Sequence, residues 1–578
     1  MPEGIASAAA ERSLAAIAGT DRPEVWISRF DDGHIRGRAD EIDAAVESGA
    51  NLPLAGLTFA VKDNIDVAGL DTTAGCPGFA YQPVDDAPAV RALLQAGALC
   101  IGKTNLDQFA TGLVGTRSPY GAVRNAWAPE RISGGSSSGS AVAVALGMVD
   151  LALGTDTAGS GRVPAALNGI VGCKATYGLV STQGVVPACF SFDCVTVFAA
   201  TVGLAGRAMA EMTGLGGSAA DRRPFPPDAP LGAHRPSSIG RPSLEHLTDL
   251  SPSRLAAYNA ALEHLEQIGY ELVDIDLGPF LDAGRLLYQG AFVAERYEAV
   301  GEWMSTHPDE LDPTVKGIIL GAEPIAAFRL AADVRHLAEL RARVKEEWER
   351  AGADSLVLPT VPMHPTLAEV AADPVGTNTA LGRFTTFLNL LDMCAVAVPF
   401  GTCDGLPHGV SCIGPAFSDL VQLQIAEQFD EVPTLEDAGD WRRTGDGQPR
   451  PPGVALAVVG AHLAGQPLNH QLTGRGGRLL GPAVTAAAYR LFALHTDPPK
   501  PGLVRVSDGG VSIALEVWEL PPSGFADFVA NLPAPMAIGT LALSDGSEVT
   551  GFLCEPIATE GATDISEFGG WRNYLASR

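Results

Sequence analysis

The sequence predicts an α/β protein with a mixed or parallel central sheet covered by helices, followed by a smaller β-rich α+β domain. Three observations support this fold class. The chain has 578 residues, which is more than one hydrophobic core usually holds. Alanine-rich amphipathic segments alternate with short apolar runs that end in glycine loops, as in β-α-β proteins. After residue 453 the pattern changes to short strands separated by turn residues.

Individual elements of the first part of the chain follow from hydrophobic periodicity. Residues 57–61 and 151–154 are short apolar runs that predict buried strands. Residues 86–96 and 337–351 have the spacing of amphipathic helices. The segment 220–242 is rich in Pro, Arg and Ser, and we predict that it is an exposed loop or insertion.

A domain boundary is predicted in the sequence GDWRRTGDGQPRPPG, which begins at Gly439. This segment is polar, dense in Pro and Gly and has little to bury, as is typical of a linker. We therefore predict a first domain at 1–440, a linker at 441–453 and a C-terminal domain at 454–578.

Short strands and turns dominate the predicted C-terminal domain. The apolar run 454–459 predicts its first strand. Asp-Gly turns favour hairpins. Two hairpins are predicted around such turns, 504–506 with 511–520 and 540–543 with 549–554.

The composition argues against several classes of function. The formal net charge of −28 disfavours binding to nucleic acids and to anionic membranes, because both need a basic surface. The N-terminus lacks the features of a signal peptide, and the apolar run 141–153 is too short to span a bilayer. The nine cysteines include no C-x-x-C pair, so we expect reduced thiols in a cytoplasmic protein, without disulfides or zinc.

No cofactor is expected either. His364, His408 and His495 lack the spacing of metal ligands. The sequence also contains no phosphate-binding loop and no biotin-type lysine motif.

The segment SGGSSSGSAVAVALGMVDLALGTDTAGSGRVPA, from Ser133 to Ala165, predicts a catalytic nucleophile. Its Gly/Ser run leads directly into an apolar helix and strand, so we place it in the core. Ser160 follows the strand in a Gly-flanked turn, before a helical segment that begins at Val163. Backbone N–H groups beside such a turn can bind a developing oxyanion. Lys62 lies upstream, at the end of another predicted strand.

These residues resemble motifs of the amidase-signature family, and the resemblance covers roughly the first 430 residues. The motifs are V-K-D-N around Lys62, GGSSSG around Ser136, and D-x-x-G-S-x-R-x-P around Ser160. The resemblance implies a Ser-Ser-Lys triad in which Ser160 is the nucleophile, Ser136 relays protons and Lys62 is the base. In the family the relay serine follows a cis peptide bond.

The same resemblance assigns the residues around the nucleophile. The backbone of Thr157, Ala158, Gly159 and Ser160 corresponds to the oxyanion hole of the family. Asp156 and Arg162 also match the motif, and we interpret them as structural support for the turn.

The chemistry of the triad explains why these residue types are needed. A serine hydroxyl is a poor nucleophile until a base removes its proton. A lysine acts as that base only when it is neutral, and burial lowers its pKa towards that state. Ser136 would pass the proton of Ser160 to Lys62 and later return it to the leaving amine.

The sequence from Gly453 onwards resembles the C-terminal domain of allophanate hydrolases, which has a γ-glutamyl-cyclotransferase-like fold. Residues 358–399 resemble the same subfamily. The resemblance implies the substrate allophanate, which is urea carrying one carboxylate. Tyr288 and Arg296, eight residues apart, match the substrate-binding pair of these enzymes. Arginine suits this role because its guanidinium donates two parallel hydrogen bonds to a carboxylate.

The resemblance also implies two products and a second step. Hydrolysis gives ammonia and N-carboxycarbamate, and the C-terminal domain promotes loss of carbon dioxide from the latter. His462 and His470 are the candidate residues for that step, with Tyr489 and Arg490 as anion contacts. We expect a homodimer that is functionally coupled to a separate urea carboxylase.

Two alternatives remain open from the sequence. A broad-specificity amidase, with its C-terminal domain as an oligomerisation module, would accept simple amides without a carboxylate. A non-catalytic scaffold or a transamidation subunit would keep the fold for binding alone, although a scaffold does not need a buried lysine.

Overall fold

The computed structural model describes residues 4–214, 222–233, 237–429, 453–496 and 499–578. The chain divides into two compact units. Unit 1 comprises Met1–Pro224 and Ile239–Pro449, and unit 2 comprises Phe225–Ser238 and Arg450–Arg578. The predicted linker at 441–453, apart from Gly453, lies outside the described residues.

A mixed sheet forms the centre of unit 1. Its strands in chain order, β1 to β11, are Trp26–Arg29, Thr58–Lys62, Leu99–Thr104, Leu151–Asp156, Val171–Lys174, Cys194–Ala199, Ser238–Pro242, Glu271–Ile275, Ser355–Pro359, Met393–Cys403 and Leu406–Pro415. They are ordered β1-β3-β2-β4-β6-β5-β10-β11-β9-β7-β8. β2 pairs in parallel with β3 and β4, whereas β4, β6, β5, β10, β11 and β9 pair antiparallel in succession.

Helices accompany this sheet in unit 1. In chain order, α1 to α15 are Ile5–Ala18, Asp32–Glu47, Pro88–Gln95, Ser138–Ala145, Val163–Asn168, Val202–Met212, Pro252–Gln267, Gly278–Gln289, Ala294–Thr306, Pro313–Leu320, Ala327–Ala351, Leu367–Ala372, Gly376–Leu381, Phe387–Leu390 and Asp419–Ala426. The predicted α/β class with a mixed sheet is confirmed.

The register of β2 and β4 fixes the position of the site. The two strands run parallel, with Val61 opposite Leu153, and every residue of both is buried. Carboxyl ends of parallel neighbours meet at one edge of a sheet. Lys62, the last residue of β2, therefore lies beside the end of β4 and the turn that follows it.

Both predicted helices are present with different bounds. The helix predicted at 86–96 is α3, which begins at Pro88, because proline is tolerated at the first helical position. The helix predicted at 337–351 is the end of α11, which begins at Ala327. Only Leu337, Leu340 and Val344 of α11 are buried, so its first half lacks the apolar stripe that predicts a helix.

The segment predicted as an exposed loop at 220–242 is described at 222–233 and 237–242, and several of these residues are buried. Its last residues form β7, and Ala229 and Leu231 are each only 3% exposed. The N–H of Leu231 donates to the carbonyl of Gly476 within unit 2. The Pro- and Arg-rich composition contains no pattern from which the burial of these few apolar side chains could be predicted.

The described residues of unit 2 form two sheets. Its strands β12 to β19 are Val454–Val458, Arg478–Val484, Tyr489–Leu494, Lys500–Arg505, Ala514–Leu520, Met536–Ala542, Glu548–Cys554 and Thr563–Asp564, and its helices α16 to α18 are His470–Thr473, Pro522–Ala530 and Trp571–Ala576. One sheet has the order β13-β16-β12-β18-β17 and the other β15-β14-β19. The β-rich character of this part is as predicted.

One of the two predicted hairpins is present. β17 pairs antiparallel with β18, from Met536 opposite Cys554 to Ala542 opposite Glu548. The hairpin predicted for 504–506 with 511–520 is wrong, because β15 pairs with β14 while β16 pairs with β12 and β13. The chain between β15 and β16 thus passes from one sheet to the other, a long-range choice that a local turn motif does not reveal.

Within the described ranges, no helix combines the length and the apolar composition needed to cross a membrane.

Candidate active site

Lys62 is fully buried at the end of β2, and its ammonium group has two hydroxyl partners. Its Nζ atom lies 2.7 Å from Oγ of Ser136 and 2.7 Å from Oγ1 of Thr155. Thr155 belongs to β4, whose end adjoins that of β2. The structure therefore brings the predicted base and the predicted relay serine into direct contact.

Ser136 lies in the loop before α4 and is also fully buried. The peptide bond between Gly135 and Ser136 is cis, which is the arrangement that the family resemblance implies. The Ser136 carbonyl accepts a hydrogen bond of 3.1 Å from the N–H of Asp107. This hydrogen bond joins the loop to the segment that follows β3 and contains Asp107.

Ser160 occupies the turn between β4 and α5, where its Oγ donates to the carbonyl of Gly112 at 3.4 Å. Asp156 organises the turn: its carboxylate accepts the N–H groups of Gly159 and Gly161 and pairs with Arg162 through two bonds of 2.9 and 2.8 Å. Gly159 has φ of 131°, a region that side chains disfavour. The turn is thus held from both sides of Ser160.

The predicted oxyanion hole is only partly available in this conformation. The N–H of Gly159 donates to Asp156 at 2.9 Å, so it is engaged within the turn. The N–H groups of Thr157, Ala158 and Ser160 have no such partner in the described part of the chain. The side chain of Thr157 donates to the buried carboxylate of Asp193.

Burial dominates the electrostatics of Lys62. It lowers the pKa of the Lys62 ammonium to about 7, against the opposing effect of Asp107, Asp193 and Asp156. Burial alone would raise the pKa of Asp156, but its ion pair with Arg162 holds that pKa below its usual value. A lysine with this pKa is substantially neutral near pH 7 and can accept a proton.

Arg296, the predicted carboxylate-binding residue, is 1% exposed on α9. Its Nη2 lies 3.0 Å from the hydroxyl of Tyr288, and its Nη1 lies 2.9 Å from Oγ1 of Thr111. Its Nε is buried without a partner, and in the described part of the chain no carboxylate pairs with it. A buried cation whose hydrogen-bond partners in the described residues are two hydroxyls can bind an anionic ligand.

A loop that sequence reasoning did not single out joins these groups. Thr111 holds Arg296, and the adjacent Gly112 accepts the bond from Ser160. Asp107 shapes the loop by accepting the N–H groups of Val114, Gly115 and Arg117. The predicted substrate-binding pair therefore faces the same short loop as the predicted nucleophile.

The four candidate residues of unit 2 lie in different environments. His462 lines a cavity of about 210 Å³, whereas His470 is exposed and does not line it. Tyr489 is fully buried in the core, where its hydroxyl accepts the N–H of Ala542. Arg490 lies 3.5 Å from Asp564. Of the four predicted residues, His462 lines this cavity and the other three do not.

No group of three or more His, Cys, Asp or Glu side chains is arranged to hold a metal ion within the described residues. All nine cysteines are free and buried.

Comparison with known proteins identifies both parts of the chain. The amidase family matches residues 9–422, and the allophanate hydrolase C-terminal domain matches residues 454–576. Among solved structures, Kluyveromyces lactis allophanate hydrolase is 40% identical, has a TM-score of 0.85, and the match covers 99% of this chain and 96% of that one.

Curated relatives extend this result. Urea amidolyase of Saccharomyces cerevisiae is 41% identical over 92% of this chain, but the chain spans only 30% of that protein. Urea amidolyase of Lachancea kluyveri is also 41% identical, over 95% of this chain and 31% of its own length. The chain therefore belongs to the amidase family and carries an allophanate hydrolase C-terminal domain behind its amidase domain.

Proposed function

We propose that this chain hydrolyses allophanate to ammonia and carbon dioxide. One observation carries the proposal: the unpaired Arg296 and the nucleophile candidate Ser160 contact adjacent residues, Thr111 and Gly112. An amide with a carboxylate at its far end could then contact Arg296 while its carbonyl carbon faces Ser160. Allophanate has this form, and the Kluyveromyces lactis protein of closely similar structure is named for it.

The first step uses the candidate triad. Neutral Lys62 accepts the proton of Ser136, which in turn accepts the proton of Ser160 as its Oγ attacks the carboxamide carbon. Backbone N–H groups of Thr157 and Ala158 stabilise the oxyanion, and Gly159 would add a third donor after leaving Asp156. The proton returns to the departing ammonia, and water then releases N-carboxycarbamate from Ser160.

Substrate selection in this proposal depends on Arg296. Two of its nitrogens already touch neutral hydroxyls, which fixes the guanidinium without neutralising it. The Tyr288 ring lies 5.1 Å from the guanidinium carbon and restrains the same group. A simple amide offers no charge to this arginine, so the geometry disfavours the alternative of a broad-specificity amidase.

The second step is assigned to the cavity of unit 2, where N-carboxycarbamate loses carbon dioxide. His462 is the predicted histidine that lines this cavity. Carbamate, the remaining product, breaks down to ammonia and carbon dioxide.

We also propose that the chain acts as a cytoplasmic homodimer that receives allophanate from a separate carboxylase. Nine buried free thiols suit a reducing compartment. The Saccharomyces cerevisiae relative named urea amidolyase is about three times longer than the matched region, and its name and additional length support coupling to an enzyme that acts on urea.

The proposed function is tested by ammonia release from three amides, namely allophanate, malonamate and benzamide. We expect turnover of allophanate, weaker turnover of malonamate, whose carboxylate is also at the far end, and little turnover of benzamide. Replacement of Ser160 by Ala should abolish ammonia release from all three. Equal turnover of benzamide and allophanate would favour the broad-specificity alternative.

A further inference from the structure

The cavity of unit 2 is lined by both apolar and basic residues. Its lining residues include the apolar Phe528 and Phe552 and the basic His462, Arg475 and Lys500. None of the described residues that line it is an aspartate or a glutamate. In a chain with a formal charge of −28, such a cavity is a local site for a small anion.

The two cations of the cavity differ in their partners. Arg475 pairs with Asp527 at 2.7 Å and also donates to the carbonyl of Gln471 at 2.8 Å. Lys500, the first residue of β15, makes no hydrogen bond or ion pair through its side chain with any residue that the structure describes. Lys500 is also the sole lysine after Lys345 in the sequence. Among the described residues, nothing therefore competes with a ligand for its ammonium group.

His462 is positioned as an acceptor. Its Nε2 lies 3.0 Å from Oε1 of Gln471, which only accepts, so Nε2 carries the hydrogen and Nδ1 keeps its lone pair. Its ring stacks on Phe552 at 5.1 Å and meets Phe528 edge-on at 5.2 Å. Burial lowers the pKa of His462 to about 4, so its imidazole is neutral at pH 7 and has no additional proton to give.

Loss of carbon dioxide from N-carboxycarbamate needs a proton at nitrogen. The bond between nitrogen and one carboxylate carbon breaks, and that carboxylate leaves as neutral carbon dioxide. The bonding electron pair stays on nitrogen, which must take up a proton to form carbamate. Apolar walls favour this direction, because they solvate carbon dioxide better than a carboxylate.

We propose that Lys500 is the catalytic acid of this second step: its ammonium group contacts N-carboxycarbamate in the unit 2 cavity and transfers a proton to the nitrogen as the carbon–nitrogen bond breaks. The resulting neutral amine of Lys500 regains its proton from water. His462 accepts the N–H of the substrate and orients it, and Arg475 attracts the carboxylate that is retained. This inference rests on the proposed function, since that function supplies N-carboxycarbamate.

The test separates charge from proton donation at position 500. Lys500→Gln removes both, whereas Lys500→Arg keeps the charge but has a group that does not deprotonate in proteins. Arg505→Gln is the matched control, because Arg505 is an exposed cation on the same strand and does not line the cavity. Circular dichroism melting curves verify that each full-length variant is folded.

Each variant is mixed with ¹³C-labelled allophanate at pH 9, where decarboxylation by solvent protons is slower than at neutral pH. Rapid-quench ¹³C NMR follows N-carboxycarbamate, and first ammonia release is measured in the same samples. We expect both Lys500 variants to slow carbon dioxide loss at least tenfold and to accumulate the intermediate, while Arg505→Gln behaves as wild type.

Two results would overturn the inference. A wild-type rate of carbon dioxide loss in Lys500→Arg would show that only charge is needed, and wild-type rates in both Lys500 variants would exclude the residue altogether. Failure of the proposed function appears separately, as absence of ammonia release from allophanate by the wild-type chain.

Discussion

The ammonium nitrogen of Lys62 lies as close to Oγ1 of Thr155 as to Oγ of Ser136, at 2.7 Å in both cases. A neutral amine has two hydrogens and one lone pair. If one hydrogen is given to Thr155, the lone pair can turn towards the hydroxyl of Ser136, which is the orientation that a base requires. In the proposed mechanism, Thr155 therefore positions Lys62 and is not itself a member of the triad.

Thr155→Val should keep the shape of the side chain and remove the acceptor. We expect kcat for ammonia release to fall about tenfold, since a lost hydrogen bond of about 1 to 2 kcal/mol corresponds to that factor. KM should change little, because the Thr155 hydroxyl contacts Lys62 and Asn64, whereas Arg296 contacts Thr111 and Tyr288. Thr155→Ser retains the hydroxyl and serves as control. Equal losses in both variants would indicate a packing effect instead.

The pH dependence of the first step should follow Lys62. With its pKa lowered to about 7 by burial, the base is blocked by a proton at lower pH. We expect kcat/KM for ammonia release to fall about tenfold per pH unit below about pH 7. Steady-state assays from pH 5.5 to 9, with circular dichroism at each pH, measure this profile. A flat profile down to pH 5.5 in a folded protein contradicts a lysine base.

Stability should also change with pH because of Lys62. The unfolded chain holds the lysine proton up to a pKa near 10.5, whereas the folded chain loses it near 7. The unfolded state therefore binds more protons between these values, and the free energy of unfolding rises with pH there, by at most about 1.4 kcal/mol per unit. Lys62→Met should flatten this rise in urea denaturation at pH 7 to 9.5 and be more stable than wild type at pH 7.

The carboxylate preference should depend on Arg296. Arg296→Gln is expected to lower kcat/KM for allophanate by about 2 kcal/mol, roughly thirtyfold, which is the scale of a lost charged hydrogen bond. A neutral amide should lose less than about threefold. Thr111→Val, which removes one contact of the guanidinium but not its charge, should give an intermediate loss. Similar losses for both kinds of substrate would show that Arg296 supports the fold only.

Local patterns predicted the buried strands near Lys62 and Ser160, the core position of the Gly/Ser run that contains Ser136, and the turn that holds Ser160. All of these lie in unit 1. Buried strands leave continuous apolar runs, and the glycines around Ser160 mark backbone that other residues resist. No such sequence pattern indicates the contacts that Thr111, Gly112 and Thr155 make. They act through single hydrogen bonds to residues distant in sequence, and a threonine or a glycine in a loop has no local pattern that reveals a distant partner.

Long-range sheet choice limited the prediction of unit 2 in the same way. An Asp-Gly turn at 508–509 favours a hairpin locally. In the structure, however, β15 and β16 pair with strands of different sheets. The assignment of 225–238 to unit 2 was equally hidden, because its contact between Leu231 and Gly476 crosses a large part of the chain. A truncation near residue 440 would leave this segment without its partner, so point variants test unit 2 more cleanly.

The last prediction therefore compares the two candidate histidines in the full chain. His462 stacks on Phe552 and lines the unit 2 cavity, whereas His470 is exposed and its Nδ1 lies 2.9 Å from the carbonyl oxygen of Pro467. His462→Asn should slow carbon dioxide loss several-fold, about the effect of one hydrogen bond to substrate, and leave first ammonia release intact. His470→Asn is the matched control and should match wild type in both. Parallel stopped-flow assays measure the rates of carbon dioxide and ammonia release in each variant. A loss confined to His470→Asn would place the second step outside the cavity, and wild-type behaviour of both variants would exclude the two histidines from that step.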